Sequence, residues 1–332
     1  MNIQTIKQNY DLLSQAARDT TLRRSGAYHV GPCPFCGGVD RFLIKQTDHG
    51  YRWFCRKCGG GKYHSVFNYF MRRDNLSFME VIESLGGDEY KSRSISLTDP
   101  KNTEAASYIP SKDWQARGCS FIASACDRLT NSSEARPVRE YLRLRGFEEG
   151  IWHRALLGFT YAYDPLLKIE RSALCIPHMD VSFNLMAVKF RFVDQVERGL
   201  RYTSMKGSKP LFYGLDTLRP SHHTLIIVEG ELNQLSIYQL LCRYMQEDHR
   251  VSVVSPGSEQ LTSLQKTVLP ILARNYQRLV VWTDKGEVAG EIQDLLGVNC
   301  TLLQSPYGMD ANDLLRQGVL GEFLSRIGIV LE

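Results

Sequence analysis

The last third of the chain alternates short apolar runs with amphipathic stretches. Residues 225–228 (Leu-Ile-Ile-Val) and 279–282 (Leu-Val-Val-Trp) are continuous apolar runs, which are typical of parallel strands buried on both faces. Residues 232–245, which follow the first run, place apolar side chains at helical spacing. With further strands predicted at 251–255 and 300–305, the pattern predicts an α/β domain with a mainly parallel sheet.

Acidic residues follow the predicted strands. Glu229 and Glu231 come directly after the first apolar run, Asp284 follows the second, and Asp310 and Asp313 open the last predicted helix. Open α/β sheets bind ligands at the carboxyl ends of their strands, where carboxylates hold divalent cations or transfer protons. A single acid there often only caps the helix behind it, and for Asp310 or Asp313 alone that alternative is equally good. Three acidic groups at one edge favour a metal site.

Residues 113–220 predict helices followed by an antiparallel sheet. The helical pattern ends near Gly146, and strand-like runs follow it, of which the last is 188–193. In that run Lys189 and Arg191 lie on one face and phenylalanines on the other, because side chains alternate along a strand. Further basic residues follow at Arg201, Lys206 and Lys209. The basic face either binds a polyanion or simply faces water, as charged surfaces usually do.

Polar composition divides the chain into domains. Residues 88–112 are rich in Ser and Thr and show no hydrophobic periodicity, which is typical of a linker. A predicted helix that ends at Gly86 and Gly87 closes the domain before this linker. The predicted organisation is α+β overall, with a first domain (1–87), the linker (88–112), a basic domain (113–220) and the α/β domain (221–332).

The strongest motif lies in the first domain. Two Cys-x-x-Cys pairs, Cys33 with Cys36 and Cys55 with Cys58, are separated by 18 residues. This spacing is typical of a zinc site in which each pair lies on a tight turn and a hairpin brings the turns together. Because four thiolates leave no open position on the metal, the sequence predicts a structural Zn²⁺ in a Cys₄ zinc ribbon.

Cations and aromatic residues alternate around these cysteines. Arg41, Trp53, Arg56 and Lys57 lie in or beside the predicted strands of the ribbon. Aromatic rings that stack on bases, together with cations that contact phosphates, form binding surfaces for single-stranded nucleic acid. The alternative is that Trp53 and its phenylalanine neighbours form the small core of the ribbon.

Charge is distributed unevenly along the chain, although the formal net charge is only +4. Lys and Arg outnumber Asp and Glu by 12 to 7 over residues 1–87 and by 16 to 12 over 113–220, whereas Asp and Glu lead by 13 to 8 over 221–332. The distribution fits two modules that bind a polyanion and a third that holds metal. No apolar run approaches the roughly 18 residues of a membrane span, and the N-terminus lacks an apolar signal segment. We therefore expect a cytoplasmic protein with reduced cysteines.

The acidic motifs resemble the TOPRIM fold of primases and topoisomerases. The Glu-Gly-Glu sequence at 229–231, the strand-end Asp284 and the Asp-Ala-Asn sequence at 310–312 are closest to the primase half of phage helicase-primases. The Cys-Pro-Phe-Cys pair and the Asp-Arg-Phe sequence at 40–42 resemble the zinc-binding domain of bacterial and phage-type DNA primases.

The resemblance implies a DNA primase that makes short RNA primers from ribonucleotides on a single-stranded DNA template. In that family the first Glu of the motif, here Glu229, is the acid/base candidate and also a metal candidate, and Asp284 and Asp310 hold Mg²⁺ or Mn²⁺. The weaker metal candidates are Glu231, Glu287 and Asp313. The residues implied to hold template or nucleotide are Arg41, Trp53, Arg56, Lys57, Lys189, Arg191, Arg201, Lys206 and Lys209.

Two positions depart from the family pattern. Residues 284–290 (Asp-Lys-Gly-Glu-Val-Ala-Gly) replace the family's Asp-x-Asp-x-x-Gly, with Glu287 as a substitute for the second Asp, and Asn233 stands where helicase-primases have Asp. Both changes remove negative charge, which favours the alternative of a weakened or inactive DNA-binding replication accessory. A TOPRIM nuclease is a further alternative.

The chain contains no Gly-x-x-x-x-Gly-Lys-Ser/Thr loop of the kind that binds nucleotide phosphates in helicases. The expected protein partners are therefore a separate replicative helicase and a polymerase or single-strand-binding protein. The short layout without a helicase also suggests an origin in a phage or mobile element.

Overall fold

A computed structural model describes the fold at residues 10–47, 50–59, 63–74, 76, 81, 84–85, 109–194, 196–219, 222–244, 251–258, 260–283, 286–297, 300–305 and 308–329, without the side chains of residues 244 and 287. The contacts divide the chain into two compact units, residues 1–91 with 116–127 and residues 92–115 with 128–332. Residues 88–108 of the predicted linker lie outside the described part of the chain. The domain boundaries at 87, 112 and 220 remain predictions. Among the described residues, no helix has the length and apolar character needed to cross a membrane.

The first unit is built on a four-stranded antiparallel sheet. Its elements are α1 (Leu12–Asp19), β1 (Arg23–Ser25), β2 (Tyr28–Cys33), β3 (Gly37–Thr47), β4 (Gly50–Cys55) and α2 (Val66–Asp74), with strand order β1-β2-β3-β4. The helix predicted over residues 1–20 is present as α1, which begins after Asp11 because the Asp11 side chain accepts a hydrogen bond from the Ser14 backbone at 3.1 Å. Residues 1–9 lie outside the described part.

Alternation along the strands forms the small core of this unit. Phe42, Ile44 and Trp53 point to one face of the sheet, where each is at most 1% exposed. Tyr69 of α2 covers that face, with its ring centroid 6.0 Å from that of Phe42 and 6.1 Å from that of Trp53. The ribbon therefore has one apolar face beneath a helix.

The second unit begins with helices and an antiparallel sheet. Its elements are α3 (Lys112–Asn131, which contributes residues to both units), a 3₁₀ turn (Ser133–Ala135), α4 (Arg136–Leu144), α5 (Glu149–Arg154), β5 (Gly158–Asp164), β6 (Ile169–Met179), β7 (Leu185–Phe192) and β8 (Tyr202–Ser204). The strand order is β5-β6-β7-β8. Leu142 and Trp152 of the helices pack with Phe159 and Leu174 of the sheet in one buried cluster.

A parallel sheet completes the second unit. Its elements are a 3₁₀ turn (Leu215–Thr217), β9 (Thr224–Val228), α6 (Glu231–Tyr244), β10 (Val251–Val254), α7 (Ser263–Ala273), β11 (Arg278–Trp282), α8 (Gly286–Leu296), β12 (Cys300–Leu302), α9 (Ala311–Arg316) and α10 (Leu320–Arg326). The strand order is β10-β9-β11-β12 and every pairing is parallel. The predicted α/β fold with a parallel sheet at this end of the chain is confirmed.

Strand β9 lies at the centre of this sheet and is buried on both faces. Leu225 and Ile227 belong to the apolar cluster on one face, and Ile226 and Val228 belong to the cluster on the other. All four side chains are at most 1% exposed. Burial on both faces explains why the strand is a continuous apolar run rather than an alternating one.

A glycine holds the segment before β9 against β10. Gly214 has φ +90°, and a Cβ at this position would lie 2.5 Å from Gln234 Nε2 and 2.7 Å from the Val253 carbonyl oxygen. The flanking residue Tyr213 exchanges backbone hydrogen bonds with Ser255 at 2.7 and 3.0 Å. Neither the positive φ nor the close approach to a backbone carbonyl suits a larger residue.

We expect Gly214→Ala to destabilise the second unit more than Gly318→Ala. Gly318 has φ +75°, but no described atom lies within 4 Å of a Cβ placed there. Gly318→Ala should lower the free energy of unfolding by about 1 kcal/mol, the cost of a left-handed backbone for a residue with a Cβ. Gly214→Ala should cost at least about twice as much, measured by guanidinium chloride unfolding. Equal losses would show that the contact with Val253 is not a constraint.

Candidate functional site

The four paired cysteines come together in the first unit. Cys33 ends β2, Cys55 ends β4, and the potential ligand atoms of Cys33, Cys36, Cys55 and Cys58 all lie within 4.8 Å of one another. The Sγ atoms of Cys33 and Cys58 are 3.6 Å apart, as are those of Cys36 and Cys55. Tetrahedral zinc with Zn–S bonds of about 2.3 Å requires sulfur separations of about 3.8 Å. The donor set and its spacing therefore fit Zn²⁺.

Backbone N–H groups in the turn between Cys55 and Cys58 stabilise the thiolate form of Cys55. The backbone N–H groups of Lys57 and Cys58 each donate to Cys55 Sγ at 3.4 Å. Burial alone would raise the pKa of the Cys55 thiol, but these donors, together with the side chains of Cys58 and Cys33, outweigh burial and lower that pKa to about 6. Cys55 therefore favours the deprotonated form that zinc requires.

The two histidines that flank the cysteines lie outside this ligand set. The His64 ring stacks on Trp53 with centroids 4.6 Å apart, and its Nε2 lies 2.8 Å from the Gly59 carbonyl oxygen. His29 lies in β2, where it pairs with Ile44 of β3. His64 thus supports the ribbon fold rather than the metal.

The ribbon presents different aromatic residues from those predicted. Trp53 is 1% exposed and its indole N–H donates to the Ser65 carbonyl at 3.1 Å. The prediction that Trp53 stacks on bases is therefore wrong, because strand alternation places it on the core face. Tyr63 is 42% exposed, with Lys45 Nζ 4.3 Å from its ring centroid and the Phe54 ring at 5.4 Å. Tyr63 and Lys45 were not predicted, whereas Phe54 belonged to the predicted pattern of cations and aromatic residues and, as the strand neighbour of Trp53, faces the other way.

The predicted basic residues of the ribbon lie around the cysteine turns. Arg56 and Lys57 are exposed in the second turn, between Cys55 and Cys58. Arg41 is half-buried, and its side chain lies across Gly38, where an added Cβ would be 2.6 Å from Arg41 Cδ. All three cations therefore surround the zinc centre rather than the core.

The acidic edge of the parallel sheet forms where β9 and β11 end. Val228 of β9 pairs with Trp282 of β11, so Glu229 and Thr283 leave adjacent strands at the same edge. Glu229 is half-buried, and its backbone carbonyl accepts a hydrogen bond from Ser255 Oγ at 2.9 Å. The predicted metal candidate Asp284 and the side chain of the predicted Glu287 lie outside the described part.

Asp310 is the N-cap residue of α9. Its side chain accepts a hydrogen bond from the Asp313 backbone N–H at 2.8 Å and so begins α9. The next turn is fixed by Asn233 of α6, whose side-chain oxygen accepts from the Asn312 backbone N–H at 3.1 Å. Asp313 itself is half-buried, with Oδ1 3.4 Å from an Arg316 nitrogen. Asn233 thus supplies a hydrogen bond at the position where the family has a carboxylate.

Glu231 lies inside the protein rather than at the solvent edge. It is 1% exposed, with Oε1 2.6 Å from Lys189 Nζ and 3.3 Å from His178 Nε2. Burial opposes its ionisation, but His178 and Lys189 outweigh burial and lower the pKa of Glu231 to about 2. The carboxylate is therefore charged and internally paired.

A cluster of arginines and tyrosines lies on the antiparallel sheet. Arg191 is 5% exposed, hydrogen-bonds the Tyr202 hydroxyl, and lies 5.3 Å from the Tyr141 ring centroid. Arg145 lies 5.4 Å from the same Tyr141 ring, and Arg201 lies 6.0 Å from the Tyr202 ring. Arg145 and Tyr141 were not among the predicted site residues, because they come from α4 and the residue that follows it rather than from the basic strand, and only the tertiary fold brings them to Arg191.

This cluster carries uncompensated positive charge. Burial lowers the pKa of the Arg191 guanidinium, and the charges of Arg201 and Arg145 act in the same direction. Among the described residues, no carboxylate oxygen lies within 4.0 Å of Arg191. An anion bound here would offset both the burial of the Arg191 charge and its repulsion by Arg145 and Arg201. The cluster therefore has the chemistry of a phosphate site.

The remaining predicted cations, Lys206 and Lys209, lie on the exposed segment after β8. The Lys206 carbonyl accepts a hydrogen bond from the Trp114 indole at 2.8 Å, and the Lys209 backbone N–H donates to the Met186 carbonyl at 2.8 Å. Both contacts involve the backbone, so they fix the path of the segment that carries these two exposed lysines.

Comparisons with known proteins identify similar sequences and folds. Residues 27–63 match a family model described as the zinc-binding domain of primase-helicase. The DNA primase of Clostridium acetobutylicum is 23% identical over 362 aligned residues, which cover 95% of this chain and 56% of that protein. The DNA primase of Halalkalibacterium halodurans is 23% identical over 56% of this chain and 27% of its own length. The chain thus spans about half or less of the length of these relatives.

Solved structures share the fold. The crystal structure of the zinc-binding and RNA polymerase domains of Aquifex aeolicus primase aligns with a TM-score of 0.51 and 16% identity over 97% of this chain and 83% of that one. The RNA polymerase domain of Mycobacterium tuberculosis primase DnaG, in complex with a double-stranded DNA oligomer with a 6-nucleotide overhang, aligns with a TM-score of 0.51 and 17% identity over 66% of this chain and 81% of that one. The predicted resemblance to bacterial-type DNA primases is confirmed.

We expect the purified protein to contain zinc that depends on Cys55. Cys55→Ser removes one thiolate of the closed set and should release the metal and destabilise the ribbon, because structural zinc contributes directly to folding. Zinc retention should also fall as the pH is lowered, because protons compete for the thiolates. Elemental analysis of dialysed protein measures the metal.

Cys300→Ser is the matched control, because Cys300 is a half-buried cysteine in β12 of the other unit. This variant should keep its zinc. Loss of zinc from Cys300→Ser, or full retention in Cys55→Ser, would contradict the assignment of the four ligands.

Proposed function

We propose that this chain is a DNA primase that synthesises short RNA primers on single-stranded DNA by metal-dependent nucleotidyl transfer. One observation carries the proposal. The acidic edge that contains Glu229 and the positively charged cluster around Arg191 belong to one structural unit, so a nucleotide has a metal-binding side and a phosphate-binding side available together. The zinc-ribbon match and the similarity to DNA primases support it.

The donor atoms of the acidic edge suit a hard divalent cation. Carboxylate oxygens are the preferred ligands of Mg²⁺ and Mn²⁺, and Asp284 and Asp310, with Glu287 and Asp313 as weaker candidates, would hold the ion. When bound, the metal would neutralise the charge that develops on the nucleotide phosphates. Glu229 would accept the proton of the 3′-hydroxyl on the growing primer. The hydroxyl oxygen would then bond to the α-phosphorus of the incoming nucleotide, and pyrophosphate would leave.

The arginine cluster would position the phosphates. Arg191 is held by Tyr202, and its charge is unopposed by any described carboxylate within 4.0 Å. Arg145 lies near the Tyr141 ring and Arg201 near the Tyr202 ring, and Arg191 lies near both rings. More than one guanidinium would therefore contact a phosphate or the template backbone. Catalysis of this kind depends mainly on positioning and charge stabilisation.

The zinc ribbon would hold the template. Tyr63 and Phe54 offer rings for base stacking, and Lys45 beside them, with Arg56 and Lys57 near the zinc, offers cations for phosphates. Further parts of the proposal are a cytoplasmic location, a separate replicative helicase, and a polymerase or single-strand-binding protein as partners.

One observation favours a second function, a DNA-binding replication accessory without catalysis. Asn233 replaces an acid at the edge and forms a hydrogen bond to the Asn312 backbone, so the site has one carboxylate fewer for metal. The accessory would bind single-stranded DNA through the same ribbon and arginine cluster but make no polymer.

We expect Glu229→Gln to abolish primer synthesis without unfolding the protein, because the amide can neither accept the proton nor carry the charge that binds metal. The assay uses mixed-sequence single-stranded DNA, labelled ribonucleotides and Mg²⁺ or Mn²⁺, with circular dichroism as the folding check. Glu322→Gln is the matched control, because Glu322 is exposed on α10 and pairs only with Arg326 in the described contacts.

Full activity of Glu229→Gln would contradict the catalytic assignment. Absence of product from the unaltered protein under either metal, with DNA binding retained, would favour the accessory function. Degradation of DNA in the absence of nucleotides would instead identify a nuclease.

We expect Tyr63→Ala to weaken binding of single-stranded DNA. A stacked base contributes about 1–3 kcal/mol to binding, so the dissociation constant should rise by about 5-fold to 160-fold. Fluorescence anisotropy with labelled oligonucleotides measures this change. Tyr161→Ala is the control, because Tyr161 has a similar exposure of 44% but lies on β5. An equal effect of both substitutions would contradict a stacking surface on the ribbon.

A further inference from the structure

The buried carboxylate of Glu231 connects three parts of the second unit. Lys189 comes from β7, His178 comes from β6, and Gly257 lies in the loop after β10. The Lys189 ammonium lies 2.6 Å from Glu231 Oε1 and also donates to the Gly257 carbonyl. We call these four residues the Glu231 network.

Gly257 fits the network because it has no side chain. Its φ is +70°, and a Cβ on it would lie 2.5 Å from Glu231 Oε1 and 3.5 Å from the His178 ring. The loop thus passes directly over the carboxylate, with its carbonyl oxygen on the Lys189 ammonium. Any larger residue would have to displace either the loop or the ion pair.

The loop continues the connection to the acidic edge. The Gly257 backbone N–H donates to Ser255 Oγ at 2.9 Å, and the same hydroxyl donates to the Glu229 carbonyl oxygen at 2.9 Å. Gln265 fixes the other side of the loop by donating to the Pro256 carbonyl at 2.8 Å. The backbone of Glu229 is therefore joined to Lys189 through one short chain of hydrogen bonds.

On its other side Lys189 adjoins the arginine cluster. Its ammonium lies 4.4 Å from the Tyr202 ring centroid, and the Arg191 guanidinium lies 4.9 Å from the same ring. The network is thus linked to the backbone of Glu229 through Ser255 and to the arginine cluster through Tyr202.

We propose that Glu231 and Lys189 are positioning residues, and that the Glu231 network fixes the distance between Glu229 and the arginine cluster. Glu231 is then not a metal ligand, and Lys189 acts through the loop rather than through direct contact with nucleotide. The effect on the reaction rests on the proposed function, because a substrate held at both sides reacts only when the two sides are correctly spaced.

The electrostatics of the site favour this role over metal ligation. Glu231 is 1% exposed and already has a cation at 2.6 Å, so a divalent ion at the same oxygen would be placed beside an ammonium of like charge. Removing one partner of such a buried pair leaves the other charge unpaired. The pair therefore acts as a unit, and its two members should respond to substitution as a unit.

The test compares Glu231→Gln, Lys189→Met and the double variant with the unaltered 332-residue chain. Hydrogen exchange of the peptide that contains residues 255–258 reports the loop directly. Each single variant should speed exchange there at least about tenfold, and the double variant should exceed the larger single effect by no more than about twofold. Exchange in β12, at the far edge of the sheet, should not change.

Metal titration and kinetics provide the second and third readouts. The dissociation constant for Mn²⁺ should stay within about twofold in Glu231→Gln but rise at least about tenfold in Asp310→Asn. In primer synthesis, kcat should fall about 10-fold to 100-fold while the KM for nucleotide stays within about threefold, because 1 Å of misplacement can cost up to about 100-fold.

The variant Gly257→Ala disturbs the loop but keeps the side chains of Glu231, Lys189 and His178. It should reproduce the loss of kcat and the faster loop exchange, while Gly318→Ala, which shares the positive φ in open space, should change neither. This variant decides the question even when Lys189→Met or Glu231→Gln fails to fold.

Two outcomes would overturn the proposal. A loss of Mn²⁺ affinity in Glu231→Gln as large as in Asp310→Asn would make Glu231 a metal ligand, and unchanged loop exchange in Gly257→Ala and the folded variants would remove the positioning role. If the unaltered protein makes no primers, the proposed function fails, but the exchange and metal readouts still decide whether the network holds the loop.

Discussion

Burial of β9 on both faces is the constraint on which the second unit of the molecule depends. Leu225 and Ile227 fill one apolar cluster and Ile226 and Val228 fill the other, so no position within the strand can carry an unpaired polar group without a large desolvation cost. Polar chemistry is therefore confined to the residues just beyond the strand. Glu229 is the first of these, and because β9 is central in the order β10-β9-β11-β12, its neighbours at that edge come from both sides.

The second organising feature is the separation of charge within the same unit. The arginine cluster holds Arg191 in a buried site among like charges, whereas Glu229 follows β9 and Asp310 begins α9. The Glu231–Lys189 ion pair is buried beside this cluster and is neutral as a pair.

Patterns that repeat along the chain were predictable, whereas contacts between distant segments were not. The apolar run before Glu229 and the spacing of Cys33, Cys36, Cys55 and Cys58 each reflect a local rule, so the parallel sheet and the four-cysteine cluster could be predicted from sequence. Trp53 was misassigned because a strand pattern identifies two faces but not which of them a helix covers; here Tyr69 of α2 covers it. Glu231 follows Glu229 by two residues in sequence, but its surroundings are set by β6 and β7, and Arg145 meets Arg191 only through the fold.

The hydrogen bond between Asn233 and the Asn312 backbone has a consequence for the resting protein. An amide carries no charge and does not titrate, so this link between α6 and α9 does not depend on the pH. A carboxylate at the same position would add a negative charge beside Asp310 and Asp313 at the start of α9. With Asn233, helix α9 is held against α6 by a neutral hydrogen bond that needs no counterion.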